Sequence, residues 1–181
     1  MKKEILTHFL FLASFLIFVA LVRHWLILDA WPFWIGGLVG TILPDVDHLI
    51  YIYILRPYEL TSQRAVSLIK QKSFFKAFEL ILDTRYEKTK LIFHTAYFQI
   101  IFLVLTFLVV TSSGSYFGTG LVLAFGLHLL VDQAVDLAER GDLSPWFRET
   151  PYISPEWFTK ERTIFYLIGV LLVSLLFGFF L

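Results

Sequence analysis

Apolar residues run along this chain in long blocks, broken by short polar interruptions. Blocks over about 5–22, 31–55, 91–112, 117–138 and 163–181 each approach the roughly 20 residues that a helix needs to cross a hydrocarbon core. They predict an all-α polytopic membrane helix bundle with about five transmembrane helices. The second span is irregular, with Pro32 near its start and Pro44 inside it. Proline removes a backbone donor and disfavours helix at the residue before it, so this span is expected to kink or break near Leu43. Freed backbone groups at that depth need partners inside the protein. Gly36, Gly37 and Gly40 place small residues on one side of the same span, a pattern that permits close helix contact.

Composition agrees. Of 181 residues, 57% are hydrophobic and 20 are Phe, against 17% charged, and mean hydropathy is +0.73. A soluble domain of this length does not need so much apolar surface. The expectation is a single integral membrane domain over 1–181. The absence of cysteine excludes disulfides and thiolate ligands, so any bound metal must use nitrogen and oxygen. Lys2 and Lys3 precede the first apolar block as in a signal peptide. No A-x-A-like cleavage site follows and further spans do, so the block reads as a retained anchor. The net charge of zero says nothing about an acidic or nucleic-acid partner, and the scattered basic residues make no nucleic-acid groove.

Charge placement predicts orientation. Lys2 and Lys3 precede span one; Arg56, Arg64, Lys70, Lys72, Lys76, Arg85, Lys88 and Lys90 lie between spans two and three. Arg140, Arg148, Lys160 and Arg162 lie between spans four and five, and Arg23 alone falls on the other side. The positive-inside rule then puts the N-terminus and the long middle loop in the cytoplasm. In this loop (56–90), Val66, Ile69, Phe74, Phe78, Ile81 and Leu82 form an apolar stripe beside Lys70, Lys72 and Lys76. That predicts an interfacial amphipathic helix over 63–82 that attracts anionic lipid, so membrane lipids are the expected partners. The loop 139–162, with Pro145, Pro151 and Pro155 among Trp146, Phe147, Tyr152, Trp157 and Phe158, suits a headgroup-level lid or a plain connector.

The polar interruptions carry the chemistry. His8, Asp45, Asp47, His48, His94, His128 and Asp132 lie in or beside apolar spans. An ionisable group there costs several kcal/mol unless it is paired, wetted or bound. Carboxylates and imidazoles bind divalent metal, with zinc foremost and manganese or iron as alternatives. In the five-span topology all seven fall at similar depth toward one face, which a shared metal site requires. His128 and Asp132 are four apart and share a helix face, and Asp136 continues it. Asp45 and His48, three apart, share a face if helix resumes after Pro44. Asp47 or Asp136, left uncoordinated, is the candidate general base. Asp45, Asp47 and His48 together are hard to explain structurally, but the others also have a plainer reading. His8 could be a helix-end histidine, His94 could snorkel near Lys90, and His128 with Asp132 could be a self-satisfied pair. His24, beside Arg23 and Trp25, reads as an interfacial anchor.

Thr7-His8, the run Leu43-Pro44-Asp45-Val46-Asp47-His48, His94, and Gly-x-x-x-x-x-His-x-x-x-Asp ending at Asp132 together resemble the YdjM-type family. Its members are bacterial inner-membrane proteins described as metal-dependent hydrolases and as LexA-binding. The match covers about residues 5–140 and is concentrated in these short motifs. The resemblance implies a bacterial or archaeal cytoplasmic membrane location, with the same seven residues as metal-site candidates. The family's middle motif, H-R-G-x-T-H-S, holds two histidines, whereas Thr89–Thr95 keeps only the second, His94, with Thr95 in place of Ser; the family's features after its last Asp are not matched at Val135 and Asp136. The wider pattern also distantly resembles zinc-dependent phospholipase C enzymes.

These readings converge on a metal-dependent hydrolase of a lipid-linked ester or phosphoester at the cytoplasmic face. Two alternatives stand beside it: a non-enzymatic membrane protein whose structural metal site serves partner binding, and an ion or proton pathway.

Overall fold

In the computed structural model, which describes residues 2–84, 90–148 and 157–180, two helices pack backbone to backbone and the others are arranged on them. These are α2 (Trp31–Ile42) and α7 (Tyr116–Arg140). Glycines make the approach possible: a β-carbon on Gly36 would overlap the Phe117 carbonyl, one on Gly40 the Leu121 carbonyl, and one on Gly120 the Phe33 carbonyl. Around this pair stand α1 (Lys2–Val22), α6 (Ala96–Ser112) and α8 (Lys160–Phe179). The architecture is all-α, as the apolar blocks predict. Three helical stretches are long and apolar enough to cross a membrane: Leu28–Leu55, Tyr116–Arg140 and Lys160–Phe179. The shorter apolar helices His8–Val22 and Ala96–Ser112 correspond to the first and third blocks.

The outer surface is apolar. Phe9, Phe11, Ile17 and Phe18 of α1, Ile100, Val104 and Leu108 of α6, and Phe165 and Leu172 of α8 are all exposed. A soluble monomer rarely shows such continuous apolar surface, whereas lipid demands it. Inside, polar groups meet each other. Gln133 Nε2–H donates to Gln99 Oε1 at 2.7 Å, and the Tyr166 hydroxyl donates to the same oxygen at 2.7 Å. This cluster ties α6, α7 and α8 together at a depth where water cannot compensate a lost bond.

The second span breaks where its proline predicts. After α2 the chain makes a 3-10 turn over Leu43–Asp45, a short helix α3 (Val46–Ile50) and a π-helical turn over Tyr51–Leu55. The middle loop departs from expectation. In place of one helix over 63–82 there are two, α4 (Leu60–Lys70) and α5 (Phe74–Asp83), reversed through Lys72 at φ 57°. The stripe is accordingly divided: Val66, Ile69 and Ile81 fold onto Tyr51, Ile52 and Ala65 as a small second core, while Phe74 and Phe78 stay exposed. Arg85, Lys88 and Thr89 lie outside the described residues, as do Pro151, Tyr152 and Pro155. In the remaining part of that later loop, a 3-10 turn over Ser144–Phe147 buries Trp146 and Phe147.

At the opposite end of the bundle, Arg23 donates to the carbonyls of Phe177 (2.7 Å) and Gly178 (2.9 Å), capping the C-terminus of α8, where helix carbonyls lack partners. Gly178 also packs against Phe15 and Val19, which fastens α1 to α8 there.

Candidate metal centre

Pro44 has no N–H to send back into the preceding turn, so carbonyls of that turn take other partners. The Thr41 carbonyl accepts a hydrogen bond from His128 Nδ1–H at 2.7 Å. Only the close approach of α2 and α7 brings these groups within reach. The bond also settles the tautomer: with the hydrogen on Nδ1, the second nitrogen of His128 presents a lone pair. That nitrogen, Nε2, lies 3.2 Å from Asp132 Oδ2 and 3.7 Å from Asp45 Oδ1.

His94 is set by a different device. It is not on the third span's helix but in the segment before α6, which starts at the Thr95 cap, where Thr95 Oγ accepts the Phe98 N–H at 3.2 Å. Asp47, wholly buried on α3, accepts the backbone N–H of Ile92 (2.9 Å), Phe93 (2.7 Å) and His94 (3.2 Å). It also lies 3.1 Å from His94 Nδ1, the remaining donor that an ionised carboxylate can take there. His94 Nε2 then faces Asp132 Oδ2 at 3.1 Å. This carboxylate–imidazole pairing is the arrangement that orients metal-binding histidines.

The third imidazole comes from α1. His8 Nε2 is 2.8 Å from Asp132 Oδ1, and its ring centroid is 5.2 Å from that of His128. One ligand atom from each of His8, His128 and Asp132 lies within 4.8 Å of the others, and among the described residues these three form the candidate ion-holding group. One carboxylate thus receives three imidazole nitrogens from three separate segments, with Asp45 at the edge.

Placed against the expected residues, the geometry is selective. His8, His94, His128, Asp132 and Asp45 converge. Asp47 plays another part than ligand or base: its two oxygens hold the 92–94 backbone and the His94 ring. His48 stacks on His94 with centroids 5.2 Å and planes 14° apart, which fixes that ring from the side. Asp136 lines the same cavity but accepts Trp146 Nε1–H at 2.7 Å, bracing the 144–147 turn. Three contributors were not singled out from the sequence, the Thr41 carbonyl, Arg140 and Arg148, whereas Trp146 belongs to the loop read there as a lid or a connector. A backbone carbonyl leaves no mark of its own in sequence. The two arginines look like ordinary topology charges until the fold brings them to one cavity.

Asp47→Asn tests the orienting role. The amide cannot accept from four donors, so divalent-metal affinity should fall by roughly 10- to 100-fold in folded protein. Competition with a chelator reads this directly, and unchanged affinity would remove Asp47 from the design of the centre.

Comparison with protein-family models, curated proteins and solved structures finds no match to this chain.

Proposed function

We propose that this chain is a membrane-embedded metal-dependent hydrolase of YdjM type, acting on a lipid-linked ester or phosphoester at the cytoplasmic face of a bacterial or archaeal membrane. One observation carries the reading: three Nε2 atoms meet the Asp132 carboxylate while the Nδ1 hydrogens of His94 and His128 are already committed elsewhere. With no cation between them, the Nε2 nitrogens of those two rings face carboxylate oxygens acceptor to acceptor unless extra protons enter and leave charged groups buried. Buried charges of that kind are costly unless fully compensated. A divalent cation held by neutral imidazoles and a carboxylate removes the conflict, and the all-nitrogen and oxygen donor set suits zinc first, then manganese or iron.

Such a cation supplies Lewis-acid polarisation of an ester or phosphoryl oxygen and activation of water. The chain's own residues do the rest. Thr41 and Asp47 fix the tautomers of His128 and His94. Asp132 holds three rings together. Asp45, with 35% of its side chain exposed, is the acid at the centre best placed to exchange a proton with water. The charge asymmetry, with Arg23 the single basic residue on the far side, supports a cytoplasmic centre. A proton pathway is less well supported, because the chain from Asp132 through His94 ends at Asp47, whose other partners are backbone N–H groups.

Elemental analysis of protein purified after metal-replete growth tests the reading. Near-stoichiometric zinc, manganese or iron is expected, and both Asp45→Ala and His128→Ala should lower it. Metal-free, properly folded wild type would sink the hydrolase assignment and leave a hydrogen-bonded core.

A further inference from the structure

The cavity beside the centre, about 530 Å³, has apolar, ligating and basic residues in its lining. The apolar ones include Phe9 of α1, Leu38 and Ile42 of α2, and Phe78 of α5. Each is also exposed on the outside of the bundle, by 58, 53, 57 and 41% respectively, so this part of the lining is continuous with the apolar outer surface. The basic ones are Arg140, the last residue of α7, two four-residue steps beyond Asp132 on the same helix, and Arg148, just past the Ser144–Phe147 turn. Both also lie near Asp142, which is not part of the cavity lining. Partial burial opposes ionisation of Asp142, yet the Ser144 N–H and hydroxyl, with Arg140 and Arg148 nearby, hold its carboxyl below the usual carboxylate range. His8, His94, His128, Asp45 and Asp132 line the same cavity. Trp146, 3% exposed, lines it too and has its ring centroid 5.7 Å from that of His94.

An apolar wall, a set of candidate metal ligands and a guanidinium pair in one cavity together describe a molecule. We propose that the cavity takes a lipid phosphate monoester: a hydrocarbon chain along the apolar wall, the terminal phosphate at the centre, and its outer oxygens on Arg140 and Arg148. This rests on the hydrolase reading above and narrows it. Guanidinium forks match phosphate oxygens in pairs, and two of them match a dianion. A diester would carry a second alcohol past the phosphate, into the space where Arg140, Arg148 and Trp146 stand. In the reaction, a water oxygen bonds to phosphorus as the bond from phosphorus to the lipid oxygen breaks. The lipid oxygen takes up the proton that water gives up, with Asp45 placed to carry it. The products are the free lipid alcohol and inorganic phosphate.

The test uses the full chain in lipid nanodiscs with two probes, dodecyl phosphate and its methyl diester. Binding is followed by calorimetry, turnover by release of inorganic phosphate, and metal content in parallel. Dodecyl phosphate should bind at least about tenfold more tightly than the diester, and R140Q and R148Q should each weaken it by about tenfold with metal content unchanged. Both arginines are exposed, so the fold is not at stake. Equal affinity for the two probes, or binding indifferent to both substitutions, overturns the proposal. Metal-loaded protein without this discrimination would refute the phosphate site alone. Arginine-dependent monoester binding by metal-free protein would support the phosphate site and refute the hydrolase reading.

Discussion

Asp132→Asn is expected to abolish divalent-metal binding at the candidate centre. Its carboxylate is the one group that His8, His94 and His128 all approach, at 2.8, 3.1 and 3.2 Å. Asparagine keeps the shape but replaces an acceptor oxygen by a donor NH₂ and removes the charge. The loss in divalent-metal affinity should exceed the roughly 100-fold that marks disruption of an outlying orienting partner. Any hydrolase activity should vanish with it. Asp136→Asn is the matched control. It lies one turn further along α7 and bonds Trp146, so it should retain metal while loosening the 144–147 turn. Chelator competition on the two variants separates the cases. Stoichiometric, tightly held metal in Asp132→Asn would remove the residue from the centre.

Gly40→Ala should damage both the fold and the site. A β-carbon there meets the Leu121 backbone carbonyl, which has no rotamer by which to yield, so α2 and α7 must separate. Overpacking of this kind costs about 3 kcal/mol or more. Separation also draws the Thr41 carbonyl away from His128 Nδ1, so metal affinity should drop even in the fraction that stays folded. Gly126→Ala, on the same α7 but with nothing within 4 Å, should be neutral or slightly stabilising. Unfolding in mixed detergent micelles measures the difference. Equal behaviour of the two variants would mean that helix spacing does not depend on the missing side chain.

Helix-forming blocks were legible because lipid imposes one simple rule, about 20 apolar residues per crossing. The break at Pro44 was legible because the ring chemistry allows little else. Convergence of His8, His94, His128 and Asp132 could be anticipated from depth alone: each sits a similar distance from the same end of its span. Roles within that group could not. Asp45 and Asp47 are two residues apart in one motif, yet Asp45 reaches the centre while Asp47 turns to hold the 92–94 backbone. Two residues apart on a helix, their side chains point to nearly opposite sides, so one motif serves two places. Likewise the split of 63–82 into α4 and α5 depends on Lys72 adopting a left-handed conformation, which nothing in a lysine announces.

The tie between Arg23 and the end of α8 has a mechanical consequence. On α1, Leu12, Leu16, Val19 and Ala20 are buried, the Phe15 ring among them packs on Gly178 of α8, and beyond them Arg23 fastens the helix to the end of α8. His8 lies one turn past Leu12, on the other side of this anchored stretch. The start of α1 is therefore a cantilever, clamped at its far half, with His8 at the working tip. Of the three residues that form the candidate ion-holding group, His8 is the one that α7 does not carry.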